Sequence, residues 1–257
     1  MQTVSHDGRE TAYRRTDFGH DAPPVLFVHG SGGTHEVWTG QYGRRENEYP
    51  AVALDLSGHG DSADVDTAPG YETLDAYVAD VRAVVRETGA ELLVGNSLGG
   101  AVVLQTVLES DVDPAGIVLA GTGAKLTVHP DVREWLAEDF ERAIEFLHGD
   151  DMLFHDPDPA HVERSKTSMR DVGRAVTERD FRSCHEFDVR DRLDEVDVPA
   201  LALVGEYDSL TPVEYHEYLA ENIPDADFVE IANAAHLAMV EQPEAFTGAI
   251  SMFCQRL

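Results

Sequence analysis

Basic residues are scarce in this 257-residue sequence, and lysine is the scarcest of them. Lysine and arginine together number 19 against 49 aspartates and glutamates, which gives a formal net charge of −30. The only lysines are Lys125 and Lys166. Because the phosphate backbone of a nucleic acid binds to basic surfaces, this composition excludes nucleic acid as an expected partner.

The acidic residues are spread along the whole chain rather than gathered in one tail. An acidic excess with almost no lysine is similar to the composition of proteins from extreme halophiles. In molar salt the Debye length falls to about 3 Å, which screens the repulsion among acidic side chains that opposes the compact state in dilute buffer. We therefore expect a halophilic protein, and the alternative is an ordinary acidic enzyme.

Cysteines and long apolar runs are also few. Cys184 and Cys254 match no metal-binding or redox spacing, and they are expected to be buried thiols rather than a disulfide.

No apolar run approaches the ~20 residues that span a bilayer, and the polar segment Met1–Arg15 lacks the apolar stretch of a signal peptide. The sequence thus predicts a cytoplasmic protein that does not bind membranes. Neither an H-E-x-x-H motif nor a dinucleotide fingerprint is present, so we expect no metal and no cofactor.

Strand-like and helix-like segments alternate along the chain, which predicts an α/β fold with a mostly parallel sheet. Continuous apolar runs are typical of strands that are covered on both faces. Weak alternation from Val4 to Tyr13 indicates an antiparallel edge hairpin. The sequence contains six runs that we interpret as covered strands: Pro24–Val28, Ala51–Leu54, Glu91–Val94, Gly116–Ala120, Ala200–Val204 and Asp227–Ile231.

The helical patterns lie between these runs. One apolar stripe extends from Leu74 to Val85 and is followed by Gly89, where a C-terminal cap belongs. A second begins near Pro243. The stretch 121–196 contains helical patterns, such as Trp135–Leu147, but no strongly apolar strand. We predict a helical cap over residues 121–196, inserted after the sixth strand of a core domain formed by residues 1–120 and 197–257.

The main chemical signal is Gly95-Asn96-Ser97-Leu98-Gly99, a G-x-S-x-G motif between a predicted strand and a predicted helix. A sharp strand-to-helix turn strains the central residue and requires very small neighbours, which Gly95 and Gly99 provide. The sequence therefore predicts that Ser97 is a nucleophile exposed at the edge of the sheet. The alternative is a glycine-rich turn with a capping serine.

A serine hydroxyl needs a base to accept its proton and an acid to orient that base. His236 follows the last predicted strand, and Asp208 follows the fifth apolar run directly, so both fall at the carboxyl edge of the sheet. The chain order Ser97, Asp208, His236 is typical of this class of motif. By composition alone, three other aspartates remain competitors for the acid: Asp191, Asp194 and Asp197.

An oxyanion also needs backbone donors. The N–H of Leu98 supplies one, and the glycine-rich segment His29–Gly33 is placed to supply the other. We assign the second donor to Ser31, with Gly32 as the alternative. The segment lacks the Lys-Ser/Thr ending of a phosphate-binding loop.

These motifs together resemble the α/β-hydrolase superfamily. The resemblance extends from Val25 to Phe246, which is nearly the whole chain, and it implies the α/β-hydrolase fold. In that family the segment 55–62 is structural, so His59 is not expected in the active site. The Asn96-Ser97 pair is similar to the corresponding pair in carbon–carbon hydrolases of meta-cleavage products, although those usually carry tryptophan where this chain has Leu237. The stretch 236–243 resembles enol-lactonases and cofactor-free perhydrolases.

The sequence favours a carboxylesterase-like serine hydrolase that acts on a small-molecule ester through an acyl-enzyme. A lactone hydrolase, a carbon–carbon bond hydrolase or a perhydrolase would use the same triad. A catalytically idle binding protein is the alternative from another class, but every proposed catalytic position carries a competent residue.

Overall fold

The computed structural model describes residues 1–43 and 49–257. Eight strands form one sheet in the order β1-β2-β4-β3-β5-β6-β7-β8. β1 and β2 form an antiparallel hairpin at one edge, β2 pairs antiparallel with β4, and all other neighbours are parallel. The strands are β1 Gln2–His6, β2 Arg9–Thr16, β3 Val25–Val28, β4 Ala51–Leu54, β5 Leu92–Asn96, β6 Gly116–Ala120, β7 Ala200–Gly205 and β8 Ala226–Ile231.

Helices cover both faces of the sheet. Short 3₁₀ helices cover His35–Trp38 and Arg190–Glu195. The α-helices of the described residues are α1 Thr39–Tyr42, α2 Tyr71–Thr88, α3 Leu98–Glu109, α4 Pro130–Glu138, α5 Phe140–Leu147, α6 Pro159–Val172, α7 Arg174–Glu186, α8 Val213–Asn222, α9 Ala238–Glu241 and α10 Pro243–Cys254.

Two apolar layers hold these helices to the sheet. On one face, α2, α3 and α8 pack with alternate strand residues such as Leu26 and Leu93. On the other face, Trp38 and Phe246 pack with Phe27 and Val94. Strands β3 to β7 are buried along their length because both layers cover them. This arrangement confirms the predicted fold class. Strand β8 differs, since it forms the sheet edge and leaves Phe228 exposed.

Local chemistry explains where the main elements end. Helix α2 buries the predicted stripe, including Leu74 and Val81, and ends at Gly89, whose φ of 69° allows its N–H to bond Val85 O. The pattern predicted over Trp135–Leu147 forms two helices rather than one. They meet at Asp139, whose side chain accepts a hydrogen bond from Arg142 N at 3.3 Å and so begins α5.

The segment between β6 and β7 contains α4 to α7 and the second 3₁₀ helix. Within this segment, a small apolar cluster is formed by Val132, Leu136 and Ala143. Cys184 on α7 is buried as expected, whereas Cys254 on α10 is partly exposed, and the two cysteines do not form a disulfide. Within residues 1–43 and 49–257, no helix is long and apolar enough to cross a membrane.

Candidate active site

Ser97 occupies the sharp turn between β5 and α3. Its backbone has φ 56° and ψ −118°, an unfavourable conformation for a residue with a side chain. Hydrogen bonds hold the turn in this shape, from Ser97 N to Ala120 O at 3.0 Å and from Gly100 N to Ser97 O at 2.9 Å. The strained residue lies where the chain leaves the sheet.

The glycines on either side of Ser97 leave no space for a side chain. A Cβ at Gly95 would collide with the carbonyl oxygen of Gly99, and a Cβ at Gly99 would collide with the carbonyl oxygen of Val28. Both obstacles are backbone atoms, which cannot rotate away. The turn that presents Ser97 therefore requires glycine at both positions.

His236 and Asp208 meet across the loops that follow β8 and β7. His236 Nδ1 donates to Asp208 Oδ2 at 2.9 Å, and both side chains are buried. Because a carboxylate only accepts hydrogen bonds, this contact places a proton on Nδ1 and leaves Nε2 as the unprotonated nitrogen of the neutral ring. The arrangement suits a base that receives a proton at Nε2.

Asp208 is stabilised as a carboxylate. Its Oδ1 accepts from Leu210 N at 2.9 Å and from Thr211 N at 2.8 Å, and its Oδ2 accepts from Thr211 Oγ1 at 2.7 Å. Burial opposes its charge, but His236 and the two donors of Thr211 outweigh burial and hold the pKa of Asp208 below its usual value. The three competing aspartates are all exposed: Asp191, Asp194 and Asp197.

The segment before α1 brings a second backbone turn against the elbow. Gly33 N donates to Gly30 O at 3.1 Å, and Gly32 has φ +67°, as the third residue of a type II turn requires. A Cβ at Gly30 would lie 3.1 Å from Ser97 Cβ, so the turn approaches Ser97 closely. Leu98 is the first residue of α3, and its N–H has no acceptor within the helix.

A cavity of about 670 Å³ opens beside these groups. Ser97, His236 and the turn from Gly30 to Gly33 line one part of it. Most of the remaining wall is apolar. Side chains between β6 and β7 contribute a large share of that wall: Leu126, Val128, Val132, Phe146, Met152, Phe154, Met169 and Phe181. Trp135 instead packs edge-on against Phe146 within the helices.

The sequence pattern did not reveal the role of Asn96, which precedes the nucleophile. Its side-chain amide donates to Ala120 O at 3.2 Å and to His236 O at 3.3 Å, so it ties β5 to β6 and to the histidine loop. The only signal for this residue was its resemblance to the pair found in carbon–carbon hydrolases. A hydrogen bond across 140 positions has no periodic signature in a sequence.

Two histidines near the site have internal partners. His29 donates from Nδ1 to Gly30 O and accepts at Nε2 from Leu56 N, and burial lowers its pKa to about 4. His59 is fully buried and bonds Asp180, outside the cavity lining, in agreement with its expected structural role. Across the part of the chain that the structure describes, no group of three or more potential ligands is arranged to hold a metal ion.

Comparison with known proteins gives three informative matches besides a family model. The model, described as the alpha/beta hydrolase family, matches residues 25–249. The pimeloyl-[acyl-carrier protein] methyl ester esterase of Neisseria meningitidis serogroup A is 30% identical over 240 residues, covering 86% of this chain and 73% of the esterase. The 2-hydroxy-6-oxo-6-(2'-aminophenyl)hexa-2,4-dienoic acid hydrolase of Metapseudomonas resinovorans is 27% identical over 269 residues, covering 98% and 90%. The solved structure of a thermophilic esterase superposes with a TM-score of 0.87 at 28% identity, covering 99% of this chain and 97% of that one.

Proposed function

The chain belongs to the alpha/beta hydrolase family, and on that premise we propose that it is a serine hydrolase that cleaves small carboxylic esters through an acyl-enzyme. The observation that carries the proposal is the 2.9 Å hydrogen bond between His236 and Asp208, made beside the cavity that Ser97 also lines. A strained serine, an oriented imidazole and a buried carboxylate are the three groups that this chemistry needs.

The reaction proceeds in two halves. Ser97 Oγ attacks the ester carbonyl carbon while His236 Nε2 accepts its proton. The tetrahedral oxyanion is stabilised by the N–H groups of Leu98 and Ser31. As the intermediate collapses, the ester C–O bond breaks and His236 returns the proton to the leaving alcohol. Water then attacks the acyl-enzyme with His236 again as base, and the acid is released from Ser97.

Asp208 supports both halves without exchanging a proton. Its charge, held by the donors of Leu210 and Thr211, keeps the proton of His236 on Nδ1 and stabilises the imidazolium that forms after proton transfer. The electrostatic attraction between a buried carboxylate and its neighbour is strong because little water screens it.

The wall of the cavity favours an ester with an apolar acyl or alcohol group. Most of the lining surface is apolar, and residues such as Val128, Phe154 and Phe181 offer hydrocarbon contact. We include in the proposal that residues 121–196 act as a cap that shapes this pocket over a core of residues 1–120 and 197–257. The Neisseria relative and the thermophilic structure are both named esterases, which supports the ester as the substrate class.

Carbon–carbon bond hydrolysis is the second candidate. The relative from Metapseudomonas resinovorans is named as a dienoic acid hydrolase, and Asn96 tethers the carbonyl of His236 next to the nucleophile. Leu237 stands where the carbon–carbon hydrolases usually carry tryptophan, and it lines the cavity. The ester assignment is therefore preferred.

The test is hydrolysis of p-nitrophenyl esters from acetate to octanoate in high salt. Rapid turnover by the wild type that vanishes in Ser97→Ala supports the serine mechanism. Ser5→Ala, which removes an exposed hydroxyl from strand β1 at the far edge of the sheet, is the control and should retain activity. A folded wild type with no turnover would contradict the ester assignment and direct the assays to lactones, meta-cleavage products and peroxide-dependent oxidation.

The halophilic character is a further part of the proposal. The formal charge of −30 with two lysines supports a protein that folds and works in molar salt. Most cations of the described surface are already paired with carboxylates, such as Lys166 with Glu145 at 2.7 Å. The many acidic side chains without a basic partner repel one another unless salt screens their charges.

A further inference from the structure

A short segment, 151–154, lies between the cavity and the loops that carry Asp208 and His236. The side chains of Met152, Leu153 and Phe154 line the cavity. The backbone of the same segment accepts hydrogen bonds from both loops: Ser209 N to Asp151 O (3.1 Å), His236 N to Met152 O (3.4 Å) and Leu237 N to Leu153 O (2.9 Å). One stretch of backbone therefore forms part of the cavity wall and also contacts both of the proposed triad loops.

The side chain of Glu241 closes this arrangement from the end of α9. Its Oε1 accepts from His155 N at 2.8 Å and from Asp156 N at 3.1 Å, and its Oε2 accepts from Ala235 N at 2.8 Å. One carboxylate thus receives three backbone N–H groups. Two come from the residues directly after the cavity segment, and one comes from the residue directly before His236.

The segment itself adopts a conformation that needs such support. Asp151 has φ 56°, in the left-handed region that residues other than glycine rarely adopt. His155 Nδ1 lies 2.6 Å from Asp151 Oδ1, and the His155 ring stacks on Tyr207 with a centroid distance of 3.6 Å. Tyr207 directly precedes Asp208, so His155 connects the cavity segment to the loop that carries Asp208.

We propose that Glu241 is a positioning residue that holds His236 in register with the cavity wall at residues 151–154. The carboxylate has different partners on its two oxygens, so its removal weakens the link between the histidine loop and the wall without touching substrate. The backbone hydrogen bonds from His236 N and Leu237 N to the wall then hold the loop without it. This proposal rests on the proposed function. It adds that the position of His236 depends on the segment of the cavity wall that contacts the bound acyl or alcohol group. Hydrogen bonds to a charged acceptor are stronger than those to a neutral one, so the charge of Glu241 matters as well as its shape.

The experiment compares Glu241→Gln with the wild type in high salt. Glutamine keeps the size of the side chain, but its single oxygen can serve either the pair from His155 and Asp156 or the N–H of Ala235, and its amide nitrogen cannot accept the other. Glu230→Gln removes the same charge from an exposed position on β8 and is the matched control. Should Glu241→Gln not fold, Glu241→Asp retains the charge with a shorter reach and is measured in its place.

Two readouts separate positioning from a merely structural role. The first is kcat and KM for the best p-nitrophenyl ester. We expect kcat to fall roughly 10- to 100-fold with little change in KM, because misplacement of a reacting group affects the transition state more than binding. The second is the ring ¹⁵N NMR spectrum of His236, assigned by its loss in His236→Gln, which needs no turnover. We expect its signals to move in the Glu241 variant and to stay in place in Glu230→Gln.

The two readouts also distinguish the two hypotheses. The positioning role would be overturned if the wild type hydrolyses the ester and a folded Glu241→Gln variant has the same kcat and the same His236 signals. If the wild type turns over no ester, the ester assignment fails, and the NMR comparison still decides whether Glu241 positions His236. A lower melting temperature alone, with kcat and the spectrum unchanged, would likewise contradict the proposal.

Discussion

His59 and Asp180 form a fully buried pair that joins the loop after β4 to helix α7, with His59 Nε2 2.9 Å from Asp180 Oδ2. The other ring nitrogen of His59 faces Ser57 O at 3.2 Å, so both nitrogens meet acceptors, an arrangement that favours the doubly protonated ring. Tyr77 OH donates to Asp180 Oδ1 at 2.6 Å. Burial opposes the charge on His59, but Asp180 outweighs it and raises the pKa of His59 above 6.5.

Asp180→Asn should therefore destabilise the protein by about 3–5 kcal/mol, because it leaves a buried charge without its partner. Since the pKa of His59 is raised on folding, its stabilisation is fully present below pH 6.5, the unfolded value, and is lost as the pH rises through the folded value. Urea unfolding in high salt measures this, with the exposed Asp194→Asn as control. A stability difference that does not shrink in alkaline solution would contradict the ionised pair.

Asp208→Asn should leave the fold intact and lower kcat by roughly 10³–10⁴-fold, because the amide no longer fixes the proton of His236 on Nδ1. Ester hydrolysis at saturating substrate measures the loss. Asp197→Asn serves as control, since the sequence alone leaves it as a competitor while the structure exposes it. Equal activity losses in the two variants would refute the assignment of Asp208.

Ser31 permits a test of the backbone donor alone. Its position as the second residue of the turn from Gly30 to Gly33 suits proline, which keeps the turn and removes the N–H. Ser31→Pro should lower kcat by about 10²–10³-fold, whereas Ser31→Ala keeps the N–H and should change it little. Should both variants lose activity equally, the side chain of Ser31, which lies 3.8 Å from Cys184 Sγ, would be the important group.

Salt should control both folding and activity. Circular dichroism melting and ester hydrolysis, followed from dilute buffer to molar KCl, should show a melting temperature and kcat that rise together with salt. The reason is the formal charge of −30, whose repulsion is screened as the Debye length shortens to about 3 Å near 1 M. Full stability and activity in salt-free buffer would contradict the halophilic assignment.

The sequence by itself determined the fold class and the position of most strands. A strand buried on both faces needs an unbroken apolar run, so Ala51–Leu54 and Gly116–Ala120 could be predicted to the residue. The turn at Ser97 was equally local, because a strand, a glycine-flanked serine and a helix follow one another directly. The break at Asp139 escaped the pattern, since the same helical periodicity continues on both sides of it.

Only the tertiary structure decided which side chains meet. Asp208 differs from Asp197 in its burial and in its contact with His236, and neither property can be read from the sequence. His59 and Asp180 lie 121 positions apart in the sequence. Glu241 lies 86 and 85 positions from His155 and Asp156, whose N–H groups it accepts. Periodicity tells which face of an element is buried, but hydrogen bonds between distant loops depend on how the elements pack. The order of the strands in the sheet sets that packing.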